Sequence, residues 1–384
     1  MNLGYPTRIT AIDLAKGFAV GLMILSHGVK GLLSFDQFPD WGLVPIHLIT
    51  KFSSTTFFIA FGLSLAVSFA PATQDPDLWR AKKKKLILRG LVVLFWFKVL
   101  TVIELSHLHN PQEILDALFY RQSTSYAEIL GFYAIALLWI PLVLPLWQKC
   151  SRWIKALIPL ALAIIAIFLS QNFDFWQSPQ LKALLVEEEG FYTWGQLSRS
   201  PFVFLGMFIG SFLKTSDFHN RERHILSGIL GGLALLLTIT FLVIYDQQLY
   251  STLLALAMNE GKHPPNVSFI LFSLSGALGI LALAFLIGEK TAKWLSPFIL
   301  IGKNTLSAFT FHLTVLFIFY RLVFDLWLKV SYVEALGLSV LLLIMTAFWL
   351  ILKKWEKEYE TLKTAHRNHD NRTHDLNPRK FQAN

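Results

Sequence analysis

Apolar runs of about 20 residues recur along the whole chain, and shorter polar connectors separate them. About 20 apolar residues in a helix span the hydrocarbon core of a bilayer, so this pattern predicts transmembrane helices. We place about ten of them, at residues 10–33, 49–70, 86–105, 126–147, 154–172, 199–213, 225–245, 266–287, 304–324 and 333–353. The expected fold class is all-α, a polytopic membrane helix bundle of about ten helices in a lipid bilayer.

The composition supports a membrane protein, since 54% of the residues are hydrophobic and only 15% are charged. We expect one transmembrane domain over residues 1–354 and a charged, largely disordered cytoplasmic tail over 355–384. A net charge of +9 would indicate nucleic-acid binding in a soluble chain. Here the basic residues lie mostly in connectors, so we expect no nucleic-acid partner. The single cysteine, Cys150, excludes an internal disulfide and a multi-cysteine metal site, and we expect no metal.

The basic residues are concentrated in the connectors that follow the second, fourth, sixth, eighth and tenth predicted helices. The connector after the second helix, for example, contains the lysine run 82–85. Positively charged connectors remain preferentially on the cytoplasmic side of a membrane. Both termini are therefore expected to be cytoplasmic, in a multi-pass protein of a plasma membrane or a bacterial inner membrane.

The first predicted helix carries ionisable residues where hydrocarbon disfavours them. Asp13 and Lys16 lie near its cytoplasmic end, and His27 lies in its outer half. A charge in hydrocarbon costs about 2.5–3.5 kcal/mol on insertion scales, so such residues indicate a function. Lys16 and His27 are separated by about three helical turns, which places them on one face about 16 Å apart. An imidazole can act as a general base near physiological pH, although His27 could instead only hydrogen-bond a neighbouring helix.

Ionisable residues inside the predicted helices also leave a second function open. A proton relay would suit a proton-coupled exporter or flippase, and it would use ionisable groups inside predicted helices. The candidates are Asp13, His27, Lys98, Glu104 and His312. Each of these residues could equally form a structural pair and take no part in chemistry.

Two further patterns carry structural predictions. Pairs of glycines four residues apart let helix backbones approach closely in membranes. We interpret three such pairs as packing contacts: Gly17/Gly21, Gly206/Gly210 and Gly228/Gly232. The acidic run 187–189 lies in a long connector and is expected to be a solvated face.

Five segments, in this order along the chain, resemble the motifs of the transmembrane acyltransferases. Residues 8–27 contain an arginine, an Ile-Asp pair, a basic residue followed by glycine, and an apolar run that ends in Met-x-x-x-His. The other four segments are 57–65, 201–210, 263–269 and 301–312. The chain most resembles the heparan-α-glucosaminide N-acetyltransferase-like branch, and the acyltransferase-3 group is the next nearest.

This resemblance implies transfer of an acetyl or short acyl group from cytoplasmic acetyl-CoA, or another acyl-CoA, to an extracytoplasmic acceptor. The acceptor would be a sugar amine or hydroxyl of a glycan or glycolipid, and the enzyme could be a homo-oligomer. Lys16 replaces the arginine that is usual at its position, and it keeps the charge but loses bidentate phosphate geometry. The expected catalytic residues are His27, Asp13 and Lys16. The donor is expected at Arg8, Lys16, Lys303 and Asn304, and the acceptor at His47, Lys51, His263 and His312.

Overall fold

The computed structural model describes residues 9–34, 36, 45–122, 124–188, 191, 193–213, 220–287 and 293–375. In chain order the helices are α1 Thr10–Leu32, α2 Pro45–Ile49, α3 Phe52–Ser68, α4 Pro76–Leu105, α5 Pro111–Leu118, α6 Glu128–Lys149, α7 Arg152–Asn172, α8 Pro179–Val186, α9 Gln196–Gly210, α10 Asn220–Ile244, α11 Leu249–Ala257, α12 Val267–Leu286, α13 Ser296–Lys303, α14 Thr305–Thr314 and α15 Tyr332–Asp375. A π-helix, Val315–Val323, continues α14. The protein is an all-α polytopic membrane bundle, as predicted.

Among the described residues, nine segments are long and apolar enough to cross a membrane. They are built on α1, α2 with α3, α4, α6, α7, α10, α12, α14 with its π-helical continuation, and α15. The sixth predicted span, 199–213, corresponds to α9, which has only 15 residues. At about 1.5 Å per residue this helix is about 22 Å long, so it is shorter than the hydrocarbon core.

Helix α4 begins ten residues before the predicted span, because its start is set by capping residues and not by hydrophobicity. The Asp75 carboxylate accepts hydrogen bonds from the backbone amides of Asp77 and Leu78, at 3.0 and 3.1 Å. Pro76 occupies the first helical position, where its missing amide hydrogen is no loss. The lysine run 82–85 is therefore helical and forms the polar first turns of α4.

Helix α1 lies at the centre of the bundle and packs against α3, α12, α13 and α15. The contact with α13 is a close approach of backbones through two glycines. A Cβ atom at Gly17 would lie 1.9 Å from the carbonyl oxygen of Phe298, and one at Gly302 would lie 1.8 Å from that of Asp13. Only glycine fits at either position, so the register between α1 and α13 is fixed.

The glycine pairs predicted as packing contacts divide into two groups. Gly206 of α9 would place a Cβ atom 2.0 Å from the carbonyl oxygen of Ile59 in α3, and Gly210 would place one 2.7 Å from the Cβ atom of Ala66. Gly228 and Gly232, in contrast, have no other described atom within 4 Å of such a Cβ position. The packing interpretation is therefore wrong for this pair, which lies on a surface of α10 that contacts no described helix.

Candidate active site

A cavity lies beside His27, between α1, the start of α3, α6 and the connectors that precede α9 and α12, and it has about 460 Å³ of empty space when its open mouth is included. We call it the His27 cavity. The polar residues on its wall that matter below are His27, Lys30, Lys51, Glu128, Asn259 and Lys262. Hydroxyl side chains of α1 and α3 add to this polar lining, and Met23, Ile129 and Phe269 supply its apolar part. The cavity is therefore mainly polar, although it lies inside a membrane bundle.

His27 is joined to His312 across the bundle, with its Nδ1 atom 3.1 Å from the Nε2 atom of His312. The Nδ1 atom of His312 lies 2.9 Å from the carbonyl oxygen of Ala308, one turn earlier in α14. A carbonyl only accepts, so Nδ1 of His312 carries the hydrogen, and Nε2 of the neutral ring keeps the lone pair. His27 therefore donates its Nδ1 hydrogen to His312. This assignment from the hydrogen-bond network leaves the lone pair of His27 on Nε2, the atom a general base needs.

Aromatic side chains hold the His27 ring in place. The Tyr126 ring meets it edge-on at a centroid distance of 5.1 Å, and the Phe309 ring lies perpendicular to it at 6.0 Å. The His312 ring is stacked on it at 5.4 Å. Contacts of this geometry restrict the ring to one orientation, so the direction of the Nε2 lone pair is fixed by packing as well as by the hydrogen bond.

Two lysines meet at one amide oxygen on the wall of the His27 cavity. The ammonium group of Lys30 donates to the side-chain oxygen of Asn259 at 2.8 Å. Lys51 donates to the same oxygen and to the carbonyl oxygen of Ala257 at 3.1 Å. Lys30 follows His27 by less than one helical turn on α1, so these cations lie close to the imidazole.

Behind this wall lies a buried ionic cluster of Glu187, Arg199 and His263. Arg199 binds the Glu187 carboxylate with two hydrogen bonds, at 2.6 and 2.9 Å, and both side chains are fully buried. His263 Nδ1 lies 2.9 Å from the second carboxylate oxygen. Glu187 is thus no part of a solvated face, and that prediction is wrong because Arg199 compensates its buried charge. Glu188 does pair with Lys182 near the surface, at 2.5 Å, and residue 189 lies outside the described residues.

The charges of this cluster follow from its surroundings. Burial raises the pKa of a carboxyl group, but the guanidinium of Arg199 outweighs this effect and lowers the pKa of Glu187 to about 2. Burial lowers the pKa of His263 to about 4, although Glu187 opposes the shift. His263 is therefore neutral at physiological pH, and it donates its Nδ1 hydrogen to an ionised Glu187.

The ionic cluster positions part of the cavity wall. Arg199 also donates to the carbonyl oxygen of Lys262, and its guanidinium lies 4.5 Å from the centre of the Trp194 ring. Trp194 and Lys262 both line the His27 cavity. Burial lowers the pKa of Lys262, and the nearby Glu128 carboxylate opposes that shift. His263, which we predicted to bind the acceptor, thus lies behind the wall and supports it through Glu187.

A second cavity lies toward the start of α1, and we call it the Lys16 cavity. It has about 750 Å³ of empty space when its open mouth is included. Its walls are mostly apolar and aromatic, and its two basic residues are Lys16 and Arg89. Phe309 lines this cavity and also touches the His27 ring. The two cavities therefore approach each other at Phe309, which lies between the His27 ring and the Lys16 cavity.

A family model described as an acyltransferase domain matches residues 9–354, which is nearly the whole chain. The chain belongs to the acyltransferase-3 family. No curated protein matches the chain. The predicted enzyme class, a membrane acyltransferase, and the predicted likeness to the acyltransferase-3 group are confirmed at this level. The likeness to the heparan-α-glucosaminide branch stays a prediction.

In this acyltransferase the residues predicted for the donor do not all come together. Lys303 and Asn304 are exposed and border a separate groove, where Lys353 and Lys357 also lie. The Asn304 amide donates to the carbonyl oxygen of Leu300, in its own helix. Arg8 lies outside the described residues, so of the predicted donor residues the structure places Lys16 alone in the Lys16 cavity.

The remaining predicted residues of the acyltransferase are divided between the cavity and its surroundings. Lys51 lines the His27 cavity and His312 contacts His27. His47 is buried in α2 one turn before Lys51, and it is not among the residues that line the cavity. Asp13 is buried in α1 next to Gly302 of α13.

Lys98 and Glu104, two of the residues suggested for a proton relay, form local hydrogen bonds. Lys98 donates to the carbonyl oxygen of Leu118 at 2.7 Å and lies over the Tyr120 ring. Glu104 accepts a hydrogen bond from the backbone amide of Ser125 at 2.9 Å. Lys98 is thus anchored to the end of α5 and Glu104 to the connector that precedes α6, and this anchoring explains their place in an apolar helix.

Sequence reasoning missed several residues of the acyltransferase site. Arg89 follows the lysine run 82–85 closely in sequence, but it lies in the apolar part of α4 and lines the Lys16 cavity. Lys30 could have been found, because it is three residues beyond His27 and so on the same face. Asn259 and Lys262 had no such signal, since their places depend on how the connector before α12 folds onto α1.

Proposed function

We propose that this acyltransferase binds acyl-CoA at the Lys16 cavity and transfers the acyl group to a sugar hydroxyl or amine in the His27 cavity. The single observation that carries the proposal is the approach of the two cavities at Phe309, with His27 on one side and two cations on the other. A donor and an acceptor that enter from opposite directions would meet there.

The Lys16 cavity suits an acyl-CoA in charge and in polarity. Lys16 and Arg89 supply two positive charges for phosphate groups, and Arg89 can bind a phosphate with two parallel hydrogen bonds. The apolar walls formed by residues such as Phe57, Phe61 and Leu306 suit the pantetheine arm and the acyl chain. The thioester would then point along α1 toward His27.

The chemistry assigned to His27 is general-base catalysis. Nε2 accepts the proton of the acceptor hydroxyl or amine while its oxygen or nitrogen forms a bond to the thioester carbonyl carbon. The carbon–sulfur bond breaks, and the proton passes from His27 to the leaving thiolate, which departs as the free thiol of CoA. The Nδ1 hydrogen bond to His312 holds the tautomer that this step needs, and it stabilises the imidazolium that forms.

The orientation rests on the distribution of basic connectors, which favours cytoplasmic termini and a cytoplasmic Lys16 cavity. The acceptor would then be an extracytoplasmic glycan or glycolipid of a plasma or bacterial inner membrane. Membranes that contain the protein should consume acetyl-CoA, or another acyl-CoA, when such an acceptor is supplied.

The test of the catalytic assignment compares His27→Gln with the matched control His109→Gln, which lies at an exposed position. We expect acyl transfer to fall by at least about 10²-fold in the first variant, the contribution typical of a general base, and to be unchanged in the second. Transfer at the wild-type rate by His27→Gln would refute the assignment. Movement of a substrate across the membrane without acyl-CoA would favour an exporter instead.

A further inference from the structure

Positive charge exceeds negative charge on the wall of the His27 cavity. Three lysines line it, Lys30, Lys51 and Lys262, whereas Glu128 is the one carboxylate among the described lining residues. Charges taken out of water are costly unless opposite charges compensate them. Glu128 can compensate one lysine, and the other two then have no carboxylate partner among the described residues that line the cavity.

The uncompensated charge is concentrated at Lys30 and Lys51. Both ammonium groups donate to the same neutral oxygen of Asn259, and neither forms an ion pair within 4 Å with a carboxylate of the described residues. An ammonium has three donors. Lys30 uses one of them on Asn259, and Lys51 uses two, on Asn259 and on the carbonyl oxygen of Ala257, so both have hydrogens left to donate. The Lys51 residue is only 4% exposed, so bulk water does not replace the missing partner.

These lysines lie beside the proposed base. Lys30 follows His27 by three residues on α1, a rise of about 4.5 Å, and both line the same cavity. A negatively charged group held between Lys30 and Lys51 would therefore be a few bonds away from a hydroxyl or amine at His27 Nε2. The phosphates of the donor have separate cations in Lys16 and Arg89, in the other cavity.

We propose that the acceptor carries an anionic group, a carboxylate, sulfate or phosphate, close to its reacting hydroxyl or amine, and that Lys30 and Lys51 bind this group. The inference rests on the proposed function in taking the bound anion to be the acyl acceptor. An acidic sugar, such as a hexuronic acid or a sulfated or phosphorylated sugar, is the substrate class with this chemistry.

The sharpest test is Asn259→Asp, because this nearly isosteric change places a carboxylate between the two lysines and supplies the missing charge from the protein itself. The matched control is Asn172→Asp, at the exposed end of α7. The probes are D-glucuronate and inorganic sulfate, with D-glucose as the neutral comparison. Binding is measured on the detergent-solubilised full chain as the rise in the unfolding midpoint with ligand concentration.

We expect glucuronate and sulfate, but not glucose, to raise the midpoint of the wild type and of Asn172→Asp. Asn259→Asp should bind both anions at least about tenfold more weakly, since the new carboxylate already compensates the charge of Lys30 and Lys51. The binding of CoA, titrated in the same way, should be equal in all three proteins. Lys51→Met serves as a second variant if Asn259→Asp does not fold, and it should lose the same binding.

The proposal is overturned if the wild type shows no response to either anion, or if Asn259→Asp responds as the wild type does. A loss of CoA binding with intact glucuronate binding would show that the lysines hold the donor, and would also overturn it. Binding is measured here without any acyl transfer, so a failure of this proposal can be distinguished from a failure of the proposed function. If transfer is observed, Asn259→Asp should raise the KM for an acidic acceptor and leave the KM for acyl-CoA unchanged.

Discussion

The hydrogen bond from His27 to His312 gives the most specific prediction about catalysis. His312→Leu removes the acceptor of the Nδ1 hydrogen, whose present distance is 3.1 Å. A buried donor left without a partner costs about 1–3 kcal/mol. His27 then loses both the bond that fixes its tautomer and the stabilisation of its imidazolium. At about 1.4 kcal/mol per tenfold change in rate, kcat should fall by about 5- to 150-fold.

The assay is steady-state acyl transfer by the purified variants, with acyl-CoA and the acceptor varied separately. The loss should appear in kcat, with both KM values within about threefold of the wild type, because His312 contacts His27 and is not among the residues that line the His27 cavity. His312→Gln can present an amide oxygen to the same hydrogen, so part of the rate should return. A His312→Leu enzyme with unchanged kcat would refute the tautomer assignment, as would equal losses in folded Leu and Gln variants.

Three other predictions concern the donor cavity, the packing and the orientation. Arg89→Met should raise the KM for acyl-CoA by about tenfold or more, because a charge-assisted contact with a phosphate is lost. The control Lys84→Met, at an exposed position, should leave this KM unchanged. Equal KM values in the two variants would contradict the proposed donor site. Gly206→Ala should lower the free energy of unfolding by about 1–3 kcal/mol, since the added methyl group overlaps α3. Gly228→Ala should leave the free energy of unfolding unchanged or raise it. The unfolding midpoints of the two variants are compared. A membrane-impermeant maleimide should label Cys150, the one cysteine, in inside-out vesicles and not in intact cells, and the reverse would show the opposite orientation.

The helices were predictable because length and hydrophobicity decide whether a segment can cross a bilayer. The helix boundaries were less predictable, since α4 begins where Asp75 and Pro76 cap it and not where its apolar residues begin. The glycine spacing at Gly206 and at Gly228 is the same, yet only Gly206 meets another helix backbone. Spacing identifies a surface on which two helices can approach, but the partner comes from tertiary structure.

The site residues that lie on a single helix were predictable. Lys16 and His27 lie on α1, and their separation follows from helix geometry alone. The prediction for Glu187 was wrong because an acidic run in a connector usually faces water. Nothing in its local sequence shows that it forms a buried ion pair with Arg199. His312, predicted to bind the acceptor, is 285 residues from His27 along the chain, and its contact with His27 depends on the packing of α14 against α1.

The central claim is that donor and acceptor reach His27 from opposite sides of the membrane. It is tested most directly in sealed proteoliposomes of known protein orientation, with labelled acetyl-CoA on the side of Lys16 and an acidic glycan on the side of Lys30. Labelled glycan is expected in the compartment of the acceptor, at a rate that His27→Gln reduces at least about 10²-fold. Labelled glycan that forms only when donor and acceptor share one compartment would contradict it.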